Sequence, residues 1–483
     1  MKNQINRREF LQLTAAGSAV CLGGGSILAL GAAAPQGSKL VSPGCRGTKV
    51  KVARIYMGTS HGLWPKPNLD FKSEVQLYES EFAKFKNELS DVDFVVDELV
   101  GSAEQIRALK GRLQDVDGIL AIHFNIGIRP ILDEILTVGR PTVVFARPYS
   151  GHGWTGFGGL QRQELGAKME CMLTSDFKQL AVAIRPFRAI HHLREAKILN
   201  VTDRSFAGYA KSMKEKFGTE MKQVSLKQVQ DAYGAIDDKE ARAETERWIR
   251  QAEKVVEPPK DDIFKSCKLA LALERMLNEE DATVMTVDCY GTMWDRTIKL
   301  PAYPCLGFTR LNNMGLGGIC ESDLQCAMTH IIFQGLVGKP GFVSDPTVDE
   351  SNNSIILAHC LGTTKMDGPD GPAAPYKLRT VMERREGVVP QVEMRIGERA
   401  TQAILIGTDS LLYFTGDIIA APVALEDDRG CRTKITVKVD GDVTKLWKNW
   451  SNGLHRQTCY GDITRELELL CRFKDIKMVN EAV

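Results

Sequence analysis

The sequence lacks an excess of charge of either sign. Its 483 residues include 62 basic and 61 acidic side chains, for a net charge of +1. This balance argues against a nucleic-acid-binding surface and against a polybasic membrane anchor. After residue 34 it also lacks any apolar run of membrane-spanning length, any internal repeat and any low-complexity tract. The length is too great for one hydrophobic core, so two or three globular domains are expected.

Paired cysteine motifs are missing as well. The chain has 12 cysteines, one of them Cys21, and no two are spaced as CxxC. This argues against a zinc ribbon and against a disulfide-dense scaffold. We expect the other eleven to be buried as small hydrophobic residues, and the sequence leaves open one disulfide formed after export.

The N-terminal residues resemble a twin-arginine export signal. Arg7 and Arg8 lie within Asn6–Leu11, and a mildly apolar run rich in glycine and alanine follows from Leu13 to Ala34. Such signals direct folded proteins to the Tat translocon. We therefore predict a Tat-type signal over 1–34 and an exported protein, either periplasmic or held at the membrane by an uncleaved signal.

The rest of the chain changes its pattern twice. Residues 35–47 are rich in glycine, serine and proline, which indicates a linker. Strand and helix patterns then alternate, which is typical of parallel sheets covered by helices, and we divide them into domains at 48–190 and 191–353. From 354 to 483 short strands predominate between glycine and aspartate turns. The predicted fold class is therefore α/β, with two flavodoxin- or Rossmann-like domains followed by a β-rich domain, an antiparallel barrel or sandwich.

A dense group of candidate site residues begins near residue 315. A glycine-rich turn is predicted at 315–318, shortly before Glu321. Apolar residues at helical spacing predict a helix over 324–336 with one buried face. A short strand over 341–344 is then expected to end at Asp345, where the following proline closes it.

A β-branched strand over 355–358 ends at His359, so three polar candidates follow regular elements. Ligands bind near the carboxyl ends of strands in α/β sheets, and oxygen and imidazole ligands suit manganese or magnesium. Each residue also has a structural interpretation. Glu321 can complement a helix dipole, Asp345 can form a turn, and His359 can be a hydrogen-bonded core residue.

Two tryptophans are candidate substrate contacts. Trp154 lies in the glycine-rich segment Arg147–Gly159, which lacks the GK[S/T] of a P-loop, so a nucleotide is not expected. Trp294 follows a predicted strand together with Tyr290, and these rings can stack on a sugar face or simply pack on the core. The segment around Trp154 is either a substrate loop or a mobile crossover.

Two parts of the sequence resemble a known family. The run CESDLQCAMTHIIFQGLVGKPGFVSDP from Cys320, with the later NNSIILAHC, is similar to the core of the L-fucose isomerase and L-arabinose isomerase superfamily, on the fucose isomerase side. The C-terminal HRQTCYGDITRELELL resembles the segment that supplies that family's late histidine. The resemblance is specific over about 300–360 and 450–475 and only architectural elsewhere. Leu454 and Arg456, and the export signal, depart from the family pattern.

The resemblance implies a site and a reaction. In that family one divalent metal, typically Mn²⁺ (here Mn²⁺ or another ion such as Mg²⁺), is bound by residues that correspond to Glu321, Asp345 and His455, and His359 corresponds to a residue lining the site. The implied reaction is aldose–ketose isomerisation of a sugar through an enediol, with Glu321 and Asp345 moving the proton and their individual roles open. A homo-oligomer is also implied.

Two other functions keep the same residues. One is an exported sugar-binding protein without catalysis, and the other is a metal-dependent lyase or epimerase on the same scaffold. A binding protein needs no proton transfer, whereas all of the enzymes need the carboxylates.

Overall fold

The computed structural model describes residues 39–289, 300–422 and 429–483. The predicted export signal, residues 35–38 of the predicted linker and the segment with Tyr290 and Trp294 lie outside these ranges. Among the helices that are described, none is both long and apolar enough to cross a membrane.

The first sheet has five parallel strands in the order β2-β1-β3-β4-β5, which is the flavodoxin-like order. Its strands are β1 (Val50–Met57), β2 (Val92–Val100), β3 (Gly118–His123), β4 (Thr142–Ala146) and β5 (Met169–Leu173). The helices are α1 (Phe71–Lys84), α2 (Ala103–Leu113), α3 (Arg129–Leu136), α4 (Phe157–Gln161) and α5 (Gln179–Glu195). Helices α1 and α5 cover one face and α2 to α4 the other, so β3 and β4 are buried along their whole length.

The second sheet has four parallel strands in the order β10-β9-β6-β7. Its strands are β6 (Lys197–Val201), β7 (Glu220–Val224), β9 (Val284–Val287) and β10 (Gly317–Cys320). The helices here are α6 (Ala207–Phe217), α7 (Leu226–Gly234), α8 (Asp238–Gln251), α9 (Lys260–Glu279), α10 (Cys305–Asn313) and α11 (Leu324–Val337).

Strand β10 corrects the predicted glycine-rich turn, because Gly317 and Gly318 are paired in the sheet with Val284 and Met285. The glycines are needed for close packing. A Cβ on Gly318 would lie 2.3 Å from the Cα of Phe308 on α10, so only a residue without a side chain lets this helix lie against the strand.

Helix α11 has the predicted extent but not the predicted single apolar face. Nearly all of its residues are buried, because α5 and β10 pack against it from one side and the C-terminal strands from another. Its N-cap is Asp323, which accepts a hydrogen bond from the backbone N–H of Cys326. A helix that is buried all round joins two layers of a protein rather than covering one.

Alanine at Gly338 is expected to destabilise the protein by about 1–2 kcal/mol. Gly338 ends α11 with a φ of +67°, and a Cβ there would meet only Pro43 Cγ, at 3.9 Å. The loss would therefore come from the left-handed backbone and not from a clash. The matched control is Gly111→Ala in α2, where the glycine is exposed with open space around it, and a gain of about 0.5–1 kcal/mol is expected. The urea midpoints of both variants are measured against the wild type. Equal midpoints for Gly338→Ala and Gly111→Ala would contradict the prediction.

The C-terminal strands form a closed antiparallel barrel of six strands in the order β15-β18-β11-β12-β17-β16, with β16 pairing back to β15. Its strands are β11 (Phe342–Asp349), β12 (Ser354–His359), β15 (Arg399–Ile406), β16 (Ser410–Ala420), β17 (Thr433–Val439) and β18 (Arg456–Tyr460). A small separate sheet contains β8 (Lys254–Val255), β13 (Tyr376–Arg379) and β14 (Val389–Val392). The remaining elements are α12 (Val443–Asn449), α13 (Thr464–Lys474) and β19 (Lys477–Asn480), which pairs in parallel with β16. The predicted fold class is confirmed.

Strand β11 is longer than predicted and continues through Pro346 to Asp349. Proline is tolerated because β18 pairs only with residues 342–344, so the backbone at Pro346 has a neighbouring strand on one side alone. Asp345 therefore lies on a barrel strand, although the sequence placed it in the region of the second α/β domain. The domain boundaries themselves stay a prediction.

Candidate functional site

The strand register of the barrel places Asp345 beside two histidines. Strands β11 and β18 pair Ser344 with Arg456, so the next residues in this antiparallel register are Asp345 and His455. On its other side Asp345 pairs with Ala358 of β12, and His359 is the next residue of β12. Residues distant in sequence thus meet at one end of three adjacent strands.

Glu321 arrives from the second sheet, directly after β10. Glu321 and Ser322 both have left-handed backbone conformations, with φ of +60° and +56°. This conformation costs about 1–2 kcal/mol per residue other than glycine. It is held in place because Ser322 N–H donates to the Val287 carbonyl at 2.9 Å and its hydroxyl donates to Asn200 Oδ1 at 2.7 Å. Such strain is found most often at functional sites.

The predicted triad converges on the imidazole of His455. Its Nε2 lies 3.2 Å from Asp345 Oδ1 and 3.7 Å from Glu321 Oε2. Asp345 Oδ1 and His455 Nε2 are buried and form an ion pair when His455 is protonated, but neither makes a hydrogen bond of regular geometry. Buried polar atoms are nearly always hydrogen-bonded, so two that have only each other as a partner fit a site for a cation or a ligand.

Asp323 is a site residue that the sequence did not indicate. Its Oδ2 lies 3.1 Å from His455 Nδ1, so it orients the ring with Nε2 toward Glu321 and Asp345. A carboxylate that holds the far nitrogen of a histidine is the usual support of a metal-binding imidazole. The available signal was weak, since an aspartate two residues after Glu321 at a helix start predicts only an N-cap.

The pKa values of the two predicted catalytic carboxylates are shifted in opposite directions. Burial raises the pKa of Glu321 to about 7, although the charge of His455 opposes the rise. Burial would also raise the pKa of Asp345, but its contacts with the two histidines lower it below its usual value. The pKa of His455 would fall on burial, and its acidic neighbours instead raise it to about 10. Without a cation, the proton on His455 offsets only part of the negative charge of the cluster.

His359 belongs to the same cluster. Its ring centroid is 5.4 Å from that of His455, and its Nδ1 accepts a hydrogen bond from the N–H of Leu361 at 3.4 Å. Burial and the charge of His455 lower the pKa of His359 to about 4, so it is a neutral imidazole. One of its ring nitrogens lies within 4.8 Å of donor atoms of both Asp345 and His455. It is therefore placed to contact a ligand in the site.

Two cavities meet at Glu321. A small one, of about 50 Å³, is lined by Glu321, Asp345, His359 and five cysteines. A wider one, of about 420 Å³, is lined by Glu321, Asp323 and His455 together with Thr202 and Arg204. The cluster is thus half-buried, with polar space beside it for a molecule larger than an ion.

Of the two predicted tryptophans, Trp294 lies outside the described residues. Trp154 is 52% exposed and lines a cavity of about 480 Å³ at the first sheet, with Trp64 and His123. That cavity shares no lining residue with the two at Glu321. The substrate role of Trp154 stays a prediction.

The loop that carries Trp154 has glycines at 151, 153 and 156, which is the spacing of a dinucleotide-binding loop. The helix that follows, Phe157–Gln161, has only five residues. A Cβ on Gly151 or Gly153 would lie within 3 Å of the His123 ring. These two glycines therefore allow close packing against β3, and the loop lacks the long helix that a pyrophosphate site uses.

The donor set at His455 suits a hard or borderline divalent cation. Two carboxylates and one imidazole can bind such an ion and leave positions open for oxygen ligands of a substrate. The buried Asp345 Oδ1 and His455 Nε2, which have no regular hydrogen bond, point to the same conclusion. The residues present therefore fit a divalent metal.

No protein-family model matches the chain. A curated relative is the sulfoquinovose isomerase of Clostridium sp. (strain MSTE9), which is 28% identical over 181 residues. The match covers 34% of this chain and 37% of that protein, little more than a third of the relative's length. Over about a third of its length the chain is therefore similar to part of a sugar isomerase.

Proposed function

We propose that this protein is a metal-dependent enzyme that interconverts an aldose and a ketose through an enediol. The observation that carries the proposal is the convergence of Glu321, Asp345 and His455, in which Asp345 Oδ1 and His455 Nε2 are buried without a hydrogen bond of regular geometry. The distant similarity to a sulfoquinovose isomerase is consistent with this reaction class.

Glu321, Asp345 and His455 would hold the divalent ion, for which Mn²⁺ or Mg²⁺ is the proposed choice. When bound, such an ion supplies positive charge beside two neighbouring sugar oxygens and stabilises negative charge that develops on them. Asp323 keeps the His455 ring in position through Nδ1.

The protein's own groups would carry out the proton transfer between C2 and C1. One carboxylate removes the proton from the carbon next to the carbonyl, and a proton is returned to the adjacent carbon. In the metal-free cluster the pKa of Glu321 is raised and that of Asp345 is lowered, so the two carboxylates lie in different electrostatic environments, as complementary roles require.

We also propose that the protein is exported after folding and that it forms a homo-oligomer. The twin-arginine pattern at Arg7 and Arg8 supports export by the Tat route. Folding before export would let a weakly binding ion such as Mn²⁺ be loaded away from competing copper and zinc. Metal analysis of exported and cytoplasmic protein tests this, and zinc or copper in the exported form at the Glu321 site would contradict it.

Removing divalent ions is expected to abolish sugar isomerisation, and adding Mn²⁺ to restore it. The purified protein would be treated with a chelator, supplied with a panel of free sugars that includes sulfoquinovose, and followed by NMR for aldose–ketose exchange. Ca²⁺ is a suitable control, because a larger ion with flexible coordination is a poor substitute in such a site. Exchange that continues without metal would contradict metal dependence. Binding without exchange in the whole panel would favour the sugar-binding alternative, and cleavage or epimerisation the lyase or epimerase.

A further inference from the structure

Five of the eleven described cysteines line the small cavity beside Glu321. They are Cys289, Cys305, Cys320, Cys360 and Cys431. No disulfide joins any cysteine in the described part of the chain. A buried thiol is usually a small hydrophobic side chain, so the concentration alone proves nothing. Two of these thiols, however, also lie against carboxylates.

The thiols of Cys360 and Cys431 and the carboxylate of Glu383 form a compact triangle. The two Sγ atoms are 3.7 Å apart, Cys431 Sγ is 3.5 Å from Glu383 Oε1, and Cys360 Sγ is 3.8 Å from Glu383 Oε2. Around a tetrahedral zinc-like ion, ligand sulfurs are about 3.8 Å apart, and a sulfur and an oxygen are about 3.5 Å apart. The sulfur–sulfur distance and the Cys431–Oε1 distance match this spacing, and Cys360 faces the other oxygen of the same carboxylate.

The barrel holds the two cysteines in this position. His359 on β12 pairs with Thr433 on β17, so Cys360 and Cys431 lie just beyond the paired ends of two neighbouring strands. Glu383 is contributed by the turn between β13 and β14. Because the two thiols are held together by strand pairing, little ordering would be needed to bind a ligand.

Asp345 connects this triangle to the His455 cluster. Its Oδ2 is 3.9 Å from Cys431 Sγ, and its Oδ1 is 3.2 Å from His455 Nε2. One carboxylate thus faces two donor sets of different character, oxygen and imidazole on one side and sulfur on the other. Thiolates select softer ions than carboxylates do.

We propose that Cys360, Cys431 and Glu383 form a second divalent-metal site for an ion of the zinc class, with Asp345 as the carboxylate shared between the two sites. Binding displaces the protons of both thiols to solvent and gives two thiolate ligands. Two neighbouring ions would lie on either side of one carboxylate, as in other two-metal enzymes. The site goes beyond the proposed function, which needs only the ion at His455.

Cobalt reports thiolate ligation directly. Metal-free protein kept reduced would be titrated with Co²⁺ while the near-ultraviolet thiolate-to-cobalt charge-transfer band and the bound cobalt are measured. We expect two cobalt ions per chain, one of which produces the band. Cys431→Ser is expected to lose the band and to bind one cobalt ion fewer. Glu383→Gln changes an exposed side chain and is expected to lower the affinity for the same cobalt ion by at least about tenfold.

Two further variants separate this proposal from the isomerase proposal. Cys171→Ser changes a half-buried cysteine on β5 and is expected to keep the band. His455→Gln is expected to lose the other cobalt ion and also to keep the band. A reduced wild-type protein without the band, or a band that persists in Cys431→Ser, would overturn the second site whatever the enzymatic activity. Loss of isomerase activity with an intact band would leave the second site in place.

Discussion

Replacing Glu321 with glutamine is expected to lower the turnover number for isomerisation by about 10²–10⁴-fold. Glutamine keeps the shape of the side chain and an oxygen that can bind a cation, but it cannot take up and release the proton. In the metal-free protein burial raises the pKa of Glu321 to about 7, so its side chain holds a proton more readily than an ordinary carboxylate does. Sugar affinity in the presence of Mn²⁺ should change little, because binding does not need the proton. Steady-state kinetics and calorimetric sugar titration measure the two quantities.

Glu215→Gln is the matched control for this experiment, because it makes the same change at an exposed position on α6. It is expected to leave turnover and affinity unchanged. A Glu321→Gln enzyme that retains turnover within tenfold of the wild type would exclude Glu321 from proton transfer. A parallel loss of sugar affinity and turnover would indicate that the residue serves binding alone.

Replacing Asp323 with asparagine is expected to lower the affinity for the metal by about 10–100-fold. The carboxylate contacts His455 Nδ1 at 3.1 Å and fixes the ring with Nε2 toward the site. Asparagine is as good an N-cap as aspartate, so α11 should keep its start and its stability. Competition with a chromogenic chelator measures the metal affinity, and thermal denaturation checks the fold.

Asp70→Asn provides the comparison at a second helix start, where Asp70 caps α1 and accepts from the N–H groups of Lys72 and Ser73. Both variants should unfold as the wild type does, and only Asp323→Asn should bind metal more weakly. Unchanged metal affinity in Asp323→Asn would show that Asp323 acts only as the N-cap of α11. A fall in stability in both variants would point to capping as the cause.

Local pattern was enough to locate part of the site. Asp345 was found because it ends a short strand that a proline closes, His359 because it ends a β-branched run, and Glu321 because it precedes a helix of clear periodicity. His455 was assigned only through family resemblance, since a lone histidine between Leu454 and Arg456 has no distinctive local pattern. Asp323 and His455 are 132 residues apart in sequence, and nothing near either residue indicates the other.

Other details were not predictable from local sequence for steric or topological reasons. Glutamate does not favour a positive φ, so the strained turn at Glu321 became visible only in the structure. Glycines next to a helix predicted a turn, whereas the close approach of Phe308 makes them part of a strand. Cys360 and Cys431 are 71 residues apart, and only the pairing of β12 with β17 brings their thiols to 3.7 Å.

By itself the sequence determined the order of the α/β and β-rich parts and the kind of most elements named in the prediction, because hydrophobic periodicity and turn residues act over a few neighbouring positions. Alternating strands and helices gave way to short strands, and the structure has two parallel sheets and a barrel in that order. The tertiary structure alone decided which residues face one another. The register of β11 between β18 and β12 depends on long-range pairing and burial, and it sets Asp345 between His455 and the two thiols.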